Sequence, residues 1–165
     1  MVEVTRNLLL DLQARICEAL ELLDGQNKFS FSPQDFSGSG YSNPRVLTGS
    51  GLIEKAAVNF THSVGESLPS AVSNSKKGIA GQPFEAVSLS LIVRPANPFI
   101  PATHMNLRLF VVGTEMVDWH FGGGYDLTTT YGFVEDARLW HDTAKDAARS
   151  AYVDMKQNCD NYFYL

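Results

Sequence analysis

A chain of 165 residues with 44% hydrophobic and 19% charged residues is long enough for one domain with a sizeable core, and too apolar for a disordered segment. Its formal charge of -5 argues against a general nucleic-acid binder, which needs a basic face; an anionic ligand would have to rely on local cations such as Arg108, Arg94 or Arg45. Two cysteines, Cys17 and Cys159, make neither a disulfide framework nor a metal motif.

Along the chain, Leu9, Leu12, Ile16, Leu20 and Leu23 recur at three- and four-residue steps, which predicts an amphipathic helix covering one face of a sheet. Gly25 supplies its stop. The acidic Glu3 and Asp11 break any leader-like run, no stretch approaches the length of a membrane span, and a cytoplasmic protein is the expectation. From Gln26 to Ser50 the composition turns to Gly, Ser, Asn and Pro, and periodicity is lost. That segment reads as loop, with at most a short strand near Arg45 to Leu47. Leu52 to Phe60 becomes strand-like toward its end, and the Asn59-Phe60-Thr61 sequon inside it carries no weight. Ser67 to Gly81 reads as an exposed connection.

Phe84 to Val93 alternates, with Val87, Leu89, Leu91 and Val93 on an apolar side and Ser88 and Ser90 on the other. Asn97-Pro98 and Pro101 stiffen the approach to a second alternating strand. There Met105, Leu107, Leu109 and Val111 face one way, while His104, Asn106 and Arg108 face the other. Gly113-Thr114-Glu115 predicts a turn into a returning strand with Val117, Trp119 and Phe121 on one side, ending in Gly122-Gly123-Gly124. After Asp126 come a helix from about Val134 to Arg149 and another helical piece from about Tyr152 to Phe163. Helix, antiparallel strands and then helices make one α+β or layered α/β/α domain over residues 1–165.

The polar faces of the two alternating strands border either a wet cavity or solvent. Each candidate side chain on them has two readings. His104 is a hydrogen-bonded structural histidine or a group exchanging protons near neutral pH. Arg108 pairs with a neighbouring carboxylate or holds a substrate carboxylate in two parallel hydrogen bonds, with Asn106 and Ser90 adding neutral partners. Asp126 caps a turn, or is presented from the loop after the glycines toward ligand N–H groups. The four histidines, His62, His104, His120 and His141, show no metal spacing, so no metal is assigned.

Asn97-Pro98, Pro101, His104, Asn106, Arg108 and Phe110, followed by Trp119, Phe121-Gly122-Gly123-Gly124 and Asp126-Leu127-Thr128, resemble the signature of the oxygen-dependent coproporphyrinogen III oxidases. Glu54-Lys55-Ala56-Ala57-Val58-Asn59, Glu135-Asp136-Ala137, Trp140-His141 and Cys159-Asp160 extend the resemblance through most of the chain, which corresponds to about the first half of that family's length. The chain departs from it with Phe36 and an interrupted glycine run, Arg94 in place of a histidine, His120 in place of a tryptophan, and Thr129 in place of a proline.

The resemblance implies a broad antiparallel sheet flanked by helices on both faces, and a homodimer. It implies oxidative decarboxylation of two propionates of coproporphyrinogen III to vinyl groups, giving protoporphyrinogen IX. Molecular oxygen is the co-substrate, and no metal or organic cofactor is needed. By the same resemblance His104 manages a proton, Asp126 addresses pyrrole nitrogen, and Ser90, Asn106, Leu107 and Arg108 contact substrate. Two other readings stand beside it: a porphyrinogen-binding fragment without turnover, and a non-enzymatic pocket for a lipid or other small ligand.

Overall fold

The computed structural model describes residues 1–35, 38–68, 79–116, 118–149, 156–157 and 160–161. Helix α1 (Val2–Asp24) ends at Gly25, whose φ of 70° lets its N–H reach back to the Glu21 carbonyl. Only glycine adopts that left-handed cap without strain, so the stop read from the sequence is where the helix ends.

The buried row of α1 differs slightly from the leucine stripe: Leu9, Gln13 and Cys17 are fully covered, whereas Leu23 is exposed. A glutamine can occupy the centre of that row because its amide is satisfied. Gln13 Nε2 donates to the carbonyls of Asn43 at 2.7 Å and Val58 at 2.9 Å, and Gln13 Oε1 accepts from Asn43 Nδ2 at 3.0 Å. Burial pushes the Cys17 thiol up, against the opposing pull of Arg45.

Among the described residues the sheet has seven strands: β1 (Ser30–Phe31), β2 (Gln34–Asp35), β3 (Gly40–Thr48), β4 (Ile53–Gly65), β5 (Phe84–Pro95), β6 (Ala102–Val112) and β7 (Asp118–Thr128). Every pairing is antiparallel, β1 and β2 both pair with β3, and the order then runs β3-β4-β5-β6-β7 with β7 at the margin. The segment read as loop with a short strand is thus a nine-residue strand with two short partners. Its turn-forming composition is overridden by the β4 backbone, which pairs with it from Gly40 to Thr48.

One face of the sheet carries Val58, Phe60, Val87 and Leu89 against Leu9 and Cys17 of α1. The second helix, α2 (Val134–Ala148), lies on the same side, where Trp140 meets Tyr125 of β7 edge-on at 5.4 Å between ring centres. The α+β class is as expected, but the described helices form one layer and not two. The expected helix from about Tyr152 to Phe163 lies mostly outside the described residues, as do residues 69–78 of the expected connection. No described helix is long and apolar enough to cross a membrane.

Asp24 ties α1 to the sheet. Its carboxylate accepts from the N–H of Ile53 at 2.9 Å and from the N–H and side-chain amide of Asn27 at 2.9 and 2.8 Å. These bonds, the Ile53 one foremost, hold its carboxyl below the usual carboxylate range. A depressed folded-state value contributes stability above the unfolded value, which is lost as pH falls through the folded one. Asp24→Asn should therefore lower the thermal midpoint at neutral pH, and its gap to the parent should close as pH drops below about 4, measured by circular dichroism melts.

Candidate functional site

The face turned away from the helices is polar because alternate residues of five paired strands emerge there in register. Asn59 of β4, Ser90 of β5, Asn106 of β6 and Gly124 of β7 form one row across the sheet. Ile92, His104 and Asp126 form the next row on one side, and Ser88, Arg108 and Gly122 the next on the other. The sequence-predicted Ser90, His104, Asn106, Arg108 and Asp126 therefore share one surface. Leu107 turns its side chain toward the core, so its part in this face is confined to main chain.

The returning strand does not stop at the glycines. β7 continues through Gly122-Gly123-Gly124 to Thr128, so Asp126 stands on a strand directly opposite His104, not on a loop. Glycine weakens an isolated strand, but hydrogen bonding to the whole length of β6 overrides that tendency.

The consequence is a defined pair: His104 Nδ1 and Asp126 Oδ1 lie 2.8 Å apart. Thr128 Oγ1 donates to the same carboxylate oxygen at 3.3 Å, and Thr103 Oγ1 donates to the Asp126 carbonyl at 2.8 Å. Beside them Asn106 Nδ2 donates to Ser90 Oγ at 2.7 Å, leaving the amide oxygen of Asn106 for another donor. Ser90, Ile92, His104, Asn106, Gly124 and Asp126 line a shallow hollow of about 330 Å³. The Arg108 guanidinium is exposed two positions along β6, and among the described residues no carboxylate pairs with it.

The glycines divide by what surrounds them. A Cβ on Gly123 would collide with the Asn106 carbonyl oxygen, whereas one on Gly124 would meet nothing and would only fill the hollow. Gly123→Ala should lower stability by about 1–3 kcal/mol, read from urea midpoints, because its obstacle is backbone. Gly124→Leu should leave that midpoint near the parent value while obstructing any ligand over Asn106.

The histidines do not converge. His62 lies on the helix side, 2.6 Å from Glu85 Oε1, and His141 belongs to α2. His104 and His120 share the polar face but lie about 20 Å apart along the strands, since His120 is opposite Phe110. Among the described residues no group of three His, Cys, Asp or Glu side chains is arranged to hold a metal ion. Arg45 is on the helix side beside Cys17, and Arg94 is exposed on the polar side.

Sequence reasoning missed the extension of the polar face through β3 and β4. Ser42 Oγ donates to Asn59 Oδ1 at 3.1 Å, and Asn59 Nδ2 donates to Thr61 Oγ1 at 3.3 Å. The signal was the alternation Asn59, Thr61, Ser63, which the sequon obscured.

A larger hollow of about 430 Å³ lies between the helices and the other face, walled by Ile16, Leu20, Leu91, Val93, Leu127 and Trp140. Its nearly apolar lining offers little to orient a polar substrate. The grouped polar side chains are on the other side: a carboxylate-held imidazole, an amide–hydroxyl pair and an exposed guanidinium on one open surface. The family model described as coproporphyrinogen III oxidase matches residues 4–165. Its span includes every one of these side chains, and the chain belongs to the coproporphyrinogen III oxidase family.

Proposed function

We propose that the polar face binds coproporphyrinogen III and directs its oxidative decarboxylation by molecular oxygen to protoporphyrinogen IX. The observation that carries this reading is the grouping of His104, Asp126, Asn106, Ser90 and Arg108 on one side of β5, β6 and β7. Each turn of the reaction converts a propionate and dioxygen to a vinyl group, carbon dioxide and hydrogen peroxide. The two electrons that reduce dioxygen come from the breaking C–H and C–carboxyl bonds of the propionate, relayed through the electron-rich pyrrole, so the protein's task is orientation and electrostatics.

In this reading Arg108 clamps the propionate through its forked N–H donors. Asp126 Oδ1 holds His104 at Nδ1, which leaves Nε2 to exchange a proton with substrate and Oδ2 to accept from a pyrrole N–H. Asn106 and Ser90 fix the macrocycle edge, and the bare backbone at Gly124 admits its flat body. The resemblance carries a cytoplasmic homodimer with it, and sedimentation equilibrium checks the dimer.

The test is conversion of coproporphyrinogen III in air and under nitrogen by the parent chain and by His104→Ala, Arg108→Ala and Asp126→Ala. Oxygen-dependent product from the parent and its loss in the variants supports the reading; near-parent turnover in all three refutes it. One observation favours a second reading, binding without turnover. Among the described residues both helices cover the opposite face, and the His104 and Asp126 side chains remain 37% and 59% exposed, so water reaches the reacting position. Turnover by residues 1–165 alone would exclude that reading.

A further inference from the structure

The chain carries 18 acidic residues against 13 basic ones, yet its polar sheet face is not acidic. The charged residues at its strand positions are Lys55, Arg94 and Arg108 against Asp118 and Asp126, with Glu54 exposed at the bulge beside Lys55, and Asp126 is engaged with His104. With Asp126 engaged, this face is less acidic than the chain as a whole, which favours an anionic ligand here over the rest of the surface.

Two of the three cations are placed in a way that folding alone does not reward. Lys55 of β4 and Arg94 of β5 are direct cross-strand partners, so their Cβ atoms lie about 5 Å apart, and like charges so opposed repel. Both side chains are exposed, and no salt bridge to either is present among the described residues. Their neighbours on this face are Thr48 opposite Lys55 and, one row along, Ala57 and Ile92, and the adjacent Glu54 makes no salt bridge with either cation among the described residues. Ile92 is itself a wall of the hollow beside His104, so the pair stands at the hollow's border.

Arg108 stands at the other end. It is opposite Ser88, six residues along β5 from Arg94, which puts the two cationic positions about 20 Å apart with the hollow between them. One guanidinium at one end and a repelling ammonium–guanidinium pair at the other match a flat ligand bearing carboxylates on opposed edges.

We infer that Lys55 and Arg94 form a second carboxylate clamp, holding the edge of the ligand opposite the one at Arg108. This rests on the reading of the polar face as the coproporphyrinogen site, and it assigns the end of the ligand that reading leaves without partners. The pair determines specificity: it selects a tetrapyrrole with carboxylates on opposed edges over one with carboxylates along a single edge.

Fluorescence titration of the full chain with coproporphyrin III, which has propionates on opposed edges, and with mesoporphyrin IX, which has them on one edge, tests the clamp. The Lys55→Ala, Arg94→Ala double variant should weaken coproporphyrin binding about tenfold and erase the preference over mesoporphyrin. Its thermal midpoint should stay level or rise, because a repulsion has been removed, and the charge-preserving Lys55→Arg, Arg94→Lys variant should bind like the parent. The clamp is overturned if the alanine double variant keeps the parent preference while Arg108→Ala weakens binding. Unchanged binding in both the double variant and Arg108→Ala would overturn the clamp together with the site itself.

Discussion

His104→Ala is expected to cut oxidative turnover of coproporphyrinogen by about 10²–10⁴-fold, the range for removing a positioned proton-transfer group. Asp126→Ala should fall in the same range, because Asp126 Oδ1 sits 2.8 Å from His104 Nδ1 and orients the ring. The informative quantity is the double variant. If the two act as a unit, His104→Ala with Asp126→Ala should be scarcely slower than the worse single variant, since the second change removes a partner already lost. Fully multiplicative losses would show instead that Asp126 meets the substrate independently of His104. Single-turnover rates at saturating substrate make the measurement, so that altered binding does not enter.

Phe60→Ala should have the largest effect on stability, about 3–5 kcal/mol. The ring is fully buried between α1 and the sheet, grouped with Leu9, Cys17 and Leu89, and tilted against Tyr41 at 6.2 Å between centres. Among the described residues α1 and α2 alone cover that side of the sheet, so little of the described structure can collapse into the vacated space. Against a total of about 5–15 kcal/mol for a domain, the change should lower the urea midpoint severely without altering the slope. Activity measured well below that midpoint should fall too, because Asn59 and Thr61 flank Phe60 and the far face inherits its alignment from the ring. Phe60→Leu, which refills most of the volume, should recover much of both losses.

The β6–β7 hairpin was legible because two local signals agree: side chains alternate from His104 to Val111, and Gly113 at φ 81° supplies the turn. The common surface of Ser90, Asn106 and Arg108 followed from the same alternation. The partnership of His104 with Asp126 was not legible, since it depends on register across the hairpin and three glycines read as the end of a strand. β3 escaped for a related reason. Its residues Gly40, Ser42, Asn43 and Pro44 favour turns locally, and what makes them a strand is β4, together with Gln13 reaching across from α1 to the Asn43 carbonyl. Long-range partners of that kind leave no periodic trace. The stop of α1 at Gly25, by contrast, rests on a single residue's backbone freedom and was plain.

Among the described residues β7 pairs with β6 alone, so along its outer side half of its amides and carbonyls meet no described strand. Asp126 stands on this marginal strand itself. An extended segment that zipped onto β7 would lengthen the sheet and run alongside the strand that carries Asp126. In this architecture the open edge and the His104–Asp126 pair share one margin, so whatever lengthens the sheet there also becomes a neighbour of the pair.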